Sequence, residues 1–140
     1  MSSTYHIDPD RGLILVRLAS TLTEATFIDT CRAVYNDPER DPSFSTVWDG
    51  RSIDEISVGA SIIPMYKEFL QENADRLTRN RVALIANRDV VATFASMLAE
   101  ISKTHVAEHK LFESMEAAAE WVDVPAEVLS NYPNSHRVDG

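Results

Sequence analysis

Five residues near the N-terminus, Asp8-Pro9-Asp10-Arg11-Gly12, restrict the fold more than any other stretch. They separate two strand-like runs, Thr4 to Asp8 and Gly12 to Ala19, the second reading GLILVRLA. Proline presets φ for a turn and glycine permits φ > 0, so the connection is tight. A parallel pair needs a crossover of a dozen residues or more, so these two strands form an antiparallel hairpin. A fold that opens with a parallel β-α-β unit, such as the response-regulator receiver domain, is thereby disfavoured. That rival also needs an acidic pair after its first strand. Here Ser20 and Thr21 follow Ala19, and the next carboxylate is Glu24.

Beyond the hairpin the pattern alternates. Ser20 to Thr23 supplies an N-cap, and Glu24 suits the first turn of a helix. Ala25, Phe27, Ile28, Cys31, Val34 and Tyr35 recur at helical spacing, and Asn36-Asp37-Pro38 stops the helix. A short strand, Phe44 to Trp48, follows and ends in a polar turn, Asp49-Gly50-Arg51-Ser52. Ser57 to Ser61 is a small-residue lead-in to a helix. Pro64 is awkward deep inside a helix but tolerated in a first turn, which places the helix start near Ile62, or earlier with a kink, and its end near Thr78. RVALIA, Arg81 to Ala86, is a continuous apolar run of the kind found inside parallel sheets. Asn87 or Asp89 caps the next helix, with Val90, Phe94, Met97, Leu98 and Ile101 on its face. Glu108 to Phe112 is a last strand. A helix opens at Ser114, and Pro125 to Leu129 adds a turn. The expected fold class is α/β: a mixed sheet of about five strands, an N-terminal antiparallel hairpin, then alternating helices and strands. Residues 1–129 form a single domain and 130–140 a flexible C-terminal tail.

At 140 residues the chain fits one core without staples. Its only cysteine, Cys31, cannot form an intrachain disulfide, and it lies on an apolar helix face as a buried structural thiol. Met1 to Thr4 leads straight into a strand without a signal-like segment, and no apolar run approaches membrane-spanning length, so a reducing cytoplasm is expected. Thirteen basic and twenty-two acidic residues give a formal charge of −9. That balance argues against phosphate-backbone binding and against docking on an anionic membrane.

Four stretches together resemble the STAS domain superfamily, in particular the bacterial SpoIIAA-like (STAS/CRAL-TRIO-like) group of small stand-alone proteins. They are the pair YHID and GLILVRLA; the helix ending in NDP; the strand VWDGR; and the close RVALIA, helix, KLFESMEAAAEWV. The likeness runs from about Tyr5 to Val122. It implies a four- or five-stranded sheet with helices packed on it. It also implies either regulatory protein contacts or, in the CRAL-TRIO branch, binding of apolar ligands. Regulatory members carry an Asp-Ser-Ser-Gly-like motif whose serine a kinase phosphorylates. The comparable segment here is Ile53-Asp54-Glu55-Ile56-Ser57-Val58-Gly59, which keeps Ser57 and Gly59 but lacks the adjacent Asp-Ser pair.

Candidate sites follow from position. In open α/β sheets ligands gather beyond the carboxyl ends of the strands. Asp49, Arg51 and Ser52 after one strand, and Asn87 and Arg88 after another, form with Ser57 the candidate partner or ligand surface. An arginine beside a capped helix start suits an anion. The plainer alternative is a turn whose aspartate caps backbone amides and pairs with an arginine. Met65, Phe69, Phe94, Met97 and Leu98 form a candidate apolar pocket between helices and sheet. His105-Val106-Ala107-Glu108-His109 spells HxxEH, but that zinc-peptidase chemistry needs one continuous helix, and these residues straddle a helix end and a strand start. No nucleophile–base pair, metal set or glycine-rich phosphate loop can be assembled. The expected function is therefore a non-enzymatic regulatory or protein-interaction module of a bacterial cytoplasm, without cofactor, with homodimerisation plausible. The alternative is a binder or sensor of a small lipid-like ligand.

Overall fold

The computed structural model describes residues 3–39, 41, 44–57, 62–72, 81–87, 108–130 and 136–137. Strands β1 (Thr4–Asp8) and β2 (Leu13–Arg17) pair antiparallel with Asp8 opposite Leu13. Gly12 sits at φ 62° and donates to the Pro9 carbonyl at 3.3 Å, closing the turn. Next come β3 (Thr21–Thr23), helix α1 (Glu24–Tyr35), β4 (Ser45–Gly50) and β5 (Glu55–Ser57). Helix α2 (Ile62–Glu72), β6 (Arg81–Ala86), β7 (Glu108–Phe112), α3 (Met115–Trp121), α4 (Ala126–Ser130) and β8 (His136–Arg137) complete the described elements.

The main sheet has the order β7-β6-β4-β2-β1-β8, antiparallel at the β2-β1-β8 side and parallel elsewhere. The five expected strands and the opening hairpin are all in it. A sixth was not foreseen: His136 and Arg137, within the expected tail, pair with Tyr5 and Thr4. Also unforeseen is a second sheet, the parallel pair β3-β5, with Thr23 in register with Ser57. Thr23 serves two elements, since it ends β3 and its Oγ1 caps α1 by accepting from the Thr26 N–H at 3.1 Å. The capping chemistry was legible; the strand pairing, between segments over thirty residues apart, was not.

Strand β4 corrects the expected boundary. Asp49 and Gly50 belong to the strand and not to the turn, because Asp49 lies between Arg17 of β2 and Ile85 of β6, and Gly50 still pairs with Ala86 of β6. Ladder bonds to two neighbours carry the strand through residues that composition alone assigns to a turn.

Alternation along the strands gives the sheet two different faces. Tyr5, Ile7, Ile14, Val16, Trp48, Val82 and Leu84 point to one side, where α1 and α2 cover them with Phe27, Cys31, Val34, Tyr35, Tyr66 and Phe69. Leu13, Leu15, Val47, Ala83 and Ile85 point to the other, under Met115, Ala118, Ala119 and Val122 of α3 and its cap, and Leu129 of α4. Cys31 is fully buried, as its place on the α1 face requires. Helix α3 is capped by Ser114, whose Oγ accepts from the Ala117 N–H at 3.1 Å. It ends with Asp123 at φ 62°, donating to Glu120, while Val124 donates back to Ala119. That is a Schellman closure with aspartate in the place usually held by glycine.

Candidate functional site

The carboxyl ends of β4 and β6 lie side by side, and the turn after β4 fills the space beyond them. Three bonds fix that turn. Ile53 donates to the Gly50 carbonyl at 3.2 Å, Asp54 donates to Ser20 at 2.8 Å, and Asn87 Nδ2 donates to the Ile53 carbonyl at 3.1 Å. The Asp49 carbonyl in turn accepts from the Leu18 N–H at 3.0 Å, tying the end of β4 to the end of β2. The expectation that Asn87 and the turn share one edge of the sheet holds.

Asp49 is the organising side chain. Its carboxylate is 5% exposed and accepts three N–H groups. The Arg51 backbone N–H and Nε both donate to Oδ1, at 3.1 and 3.0 Å, and Arg51 Nη2 donates to Oδ2 at 3.0 Å. A guanidinium fork on a carboxylate is both strong and directional. Asp49 therefore holds Arg51 in one orientation while leaving 45% of the arginine side chain exposed. This is the plainer of the two sequence readings, an aspartate that caps a turn and pairs with an arginine. The arrangement is poor for an anion, because the cation already faces a carboxylate at contact distance. It is good for presenting a fixed, half-exposed arginine.

Ser52 and Asp54 are exposed on either side of the buried Ile53. Ser57 ends β5, six residues past Arg51 and one short strand away from it. Arg88 lies outside the described residues. One neighbour went unread in the sequence: Arg17 stands opposite Asp49 in the ladder, so two arginines bracket this carboxylate in chain position. The sequence cue is that Arg17 closes an otherwise apolar β2.

The candidate apolar pocket divides. Phe69 is buried and packs on Tyr35, with ring centroids 5.5 Å apart. Met65 is 38% exposed on the rim of a groove between α1 and α2. Ile28, Arg32, Glu68 and Glu72 complete its lining, and its volume is about 140 Å³. Ligand pockets usually run to about 300–1,000 Å³ and are mostly apolar; this groove is smaller and half charged. Phe94, Met97 and Leu98 lie outside the described residues. Glu108 and His109 are adjacent in β7 and so point to opposite faces, which is not the single-helix placement of an HxxEH site. His105 lies outside the described residues. Among the described residues no group of three His, Cys, Asp or Glu side chains could hold a metal ion, and no helix is long and apolar enough to cross a membrane.

No protein-family model matches the chain, and no curated protein does. A solved structure does: an uncharacterized protein from the DUF3478 family with a SpoIIAA-like fold, from Shewanella loihica PV-4. The likeness has a TM-score of 0.54 and covers 86% of this chain and 94% of that one, at 14% sequence identity. At that identity it speaks for the fold alone. The chain has the SpoIIAA-like fold that its sequence resembles.

Proposed function

We propose that the chain is a non-enzymatic interaction module of the SpoIIAA-like kind, with its partner surface at the junction between β4 and β5. The observation that carries this is the Asp49–Arg51 fork: a buried carboxylate fixes a half-exposed arginine on a backbone bonded to its surroundings. An arginine held before binding loses little rotamer freedom when a partner docks. Arginine is also among the side chains that most often dominate interface energetics. Arg51, Ser52 and Asp54 then form an exposed polar strip that runs toward Ser57. A phosphate on Ser57 would add charge to that strip and change partner binding.

The test is quantitative recovery of partners on the immobilised chain. Arg51→Ala and Ser57→Glu each reduce recovery of a specific partner, while Lys67→Ala, on α2, does not. Circular dichroism confirms that the variants are folded. Unchanged recovery with both junction variants would remove this surface from consideration.

A further inference from the structure

Strand β7 is an edge of the main sheet, and among the described residues it pairs with no strand but β6. Edges of this kind template pairing with another chain unless something blunts them. A lone lysine on an edge opposes such pairing. In β7, however, Lys110 has Glu108 two residues before it on the same face, and both are exposed. We propose that β7 joins two copies of this chain, antiparallel and centred on His109, into one continuous sheet.

The charges select the register. Centring the two-fold axis on His109 sets Glu108 opposite the partner's Lys110 and Lys110 opposite the partner's Glu108, so both charges are answered twice. Centring it on Lys110 would oppose two lysines, and centring it on Leu111 would set each lysine against a phenylalanine. Directly opposed unlike charges stabilise an antiparallel pair, and like charges destabilise it. A two-fold contact of this kind is self-complementary and closes at two copies, so it does not propagate into a fibre.

The neighbourhood of the edge fits an interface as well. Phe112 and Trp121 are half-buried, with ring centroids 5.6 Å apart. The Arg81 guanidinium lies 5.3 Å from the centre of the Trp121 ring and donates to the Trp121 carbonyl, and Lys110 Nζ lies 5.4 Å from the Phe112 ring. Aromatic and arginine side chains are the ones enriched in the cores of protein interfaces. On the opposite face His109 packs edge-on to Tyr66, with ring centroids 6.5 Å apart, which connects the edge to the core. Glu108 is 67% exposed in its side chain and only 4.0 Å at closest from Arg81, a loose pair that does not hold it back from a second partner.

Sedimentation equilibrium of the full chain tests the proposal through charge exchange. The wild type sediments as a dimer. Glu108→Lys and Lys110→Glu each replace two favourable pairs by two repulsive ones and weaken association by about tenfold or more. The double exchange Glu108→Lys, Lys110→Glu restores the complementary pattern and recovers the dimer. A monomeric wild type at high micromolar concentration overturns the proposal. A dimer indifferent to all three variants lies elsewhere and overturns it too, as does a double exchange no better than the single ones. Arg51→Ala leaves this dimer unchanged, which separates the edge from the junction surface.

Discussion

The two faces of the sheet are built of different materials, and β4 shows the contrast within six residues. Toward α1 and α2 it presents Thr46 and Trp48 to an aromatic layer in which Phe27 touches both Trp48 and Tyr66, at centroid distances of 5.9 and 5.3 Å. Toward α3 and α4 it presents Val47 and Asp49; Val47 meets a layer of aliphatic side chains and small alanines. Each side also buries a polar group of β4, with opposite outcomes. Asp49 has three N–H donors and becomes the anchor of an exposed turn. Thr46 Oγ1 is buried and has no hydrogen-bond partner among the described residues. A polar group inside the protein is thus a structural anchor where a donor set surrounds it, and a cost where none does.

The largest effects should separate the layers. Trp48→Ala empties a site that is 2% exposed in the aromatic layer and should cost about 3–5 kcal/mol. On the other face the tight element is Ala118, fully buried between α3 and the sheet. Ala118→Leu should overpack it and cost about 1–3 kcal/mol. Urea midpoints with unchanged m-values measure both, and an Ala118→Leu protein as stable as the wild type would refute close packing on that side.

The fork at the end of β4 should respond asymmetrically. Arg51→Ala takes two of its three donors from a buried carboxylate, whereas Asp49→Ala frees a half-exposed guanidinium to reach water. We expect about 1–3 kcal/mol for the first and about 1 kcal/mol for the second. Equal losses by chemical denaturation would mean that Asp49 is better hydrated than its burial implies.

Alkaline titration should act through the aromatic layer. Burial pushes the Tyr5 phenol up, aided by its hydrogen bond to Asp37, and burial pushes up the Cys31 thiol. The Tyr66 phenol rises through burial and then through Tyr35 and Cys31 beside it. All three stay neutral in the fold at pH values where the unfolded chain has begun to ionise. The unfolded state then binds fewer protons, so stability falls as pH rises. The onset lies near the ordinary values of 9.0 for the thiol and 10.0 for the phenols. The slope is at most about 1.4 kcal/mol per pH unit per group. Tyr66→Phe should flatten part of the decline in urea midpoints measured between about pH 8 and pH 11, and an unaltered slope would show that other groups drive it.

The smallest effect has the opposite sign. Thr46→Val removes an unsatisfied hydroxyl at nearly constant shape and should raise stability by about 1 kcal/mol. A loss on thermal unfolding would show that the hydroxyl is satisfied after all, by water or by a ligand.

Much of the fold could be read from local chemistry. Pro9 and Gly12 made the hairpin necessary, Thr23 and Ser114 marked helix starts, Asn36-Asp37-Pro38 marked a stop, and Pro64 located the first turn of α2. The unbroken run from Val82 to Ala86 announced a strand buried on both faces, and the structure buries all five residues. For the site, the region was legible and the arrangement was not. A polar cluster after a strand pointed to Asp49, Arg51 and Ser52, and two parallel strand ends pointed to Asn87. That Asp49 lies inside a strand, opposite Arg17 on one side and Ile85 on the other, had no local signature.

Turns, caps and periodicity depend on residues a few positions apart, so the sequence alone determined where α1, α2 and α3 begin, where α1 stops, and that the sheet opens with a hairpin. Strand length and side-chain partners depend on ladders between segments tens of residues apart. Only the tertiary structure therefore decided that β4 runs on through Asp49, that Thr21–Thr23 and Glu55–Ser57 pair, and that one buried aspartate was given its donors while Thr46, three residues before it, was not.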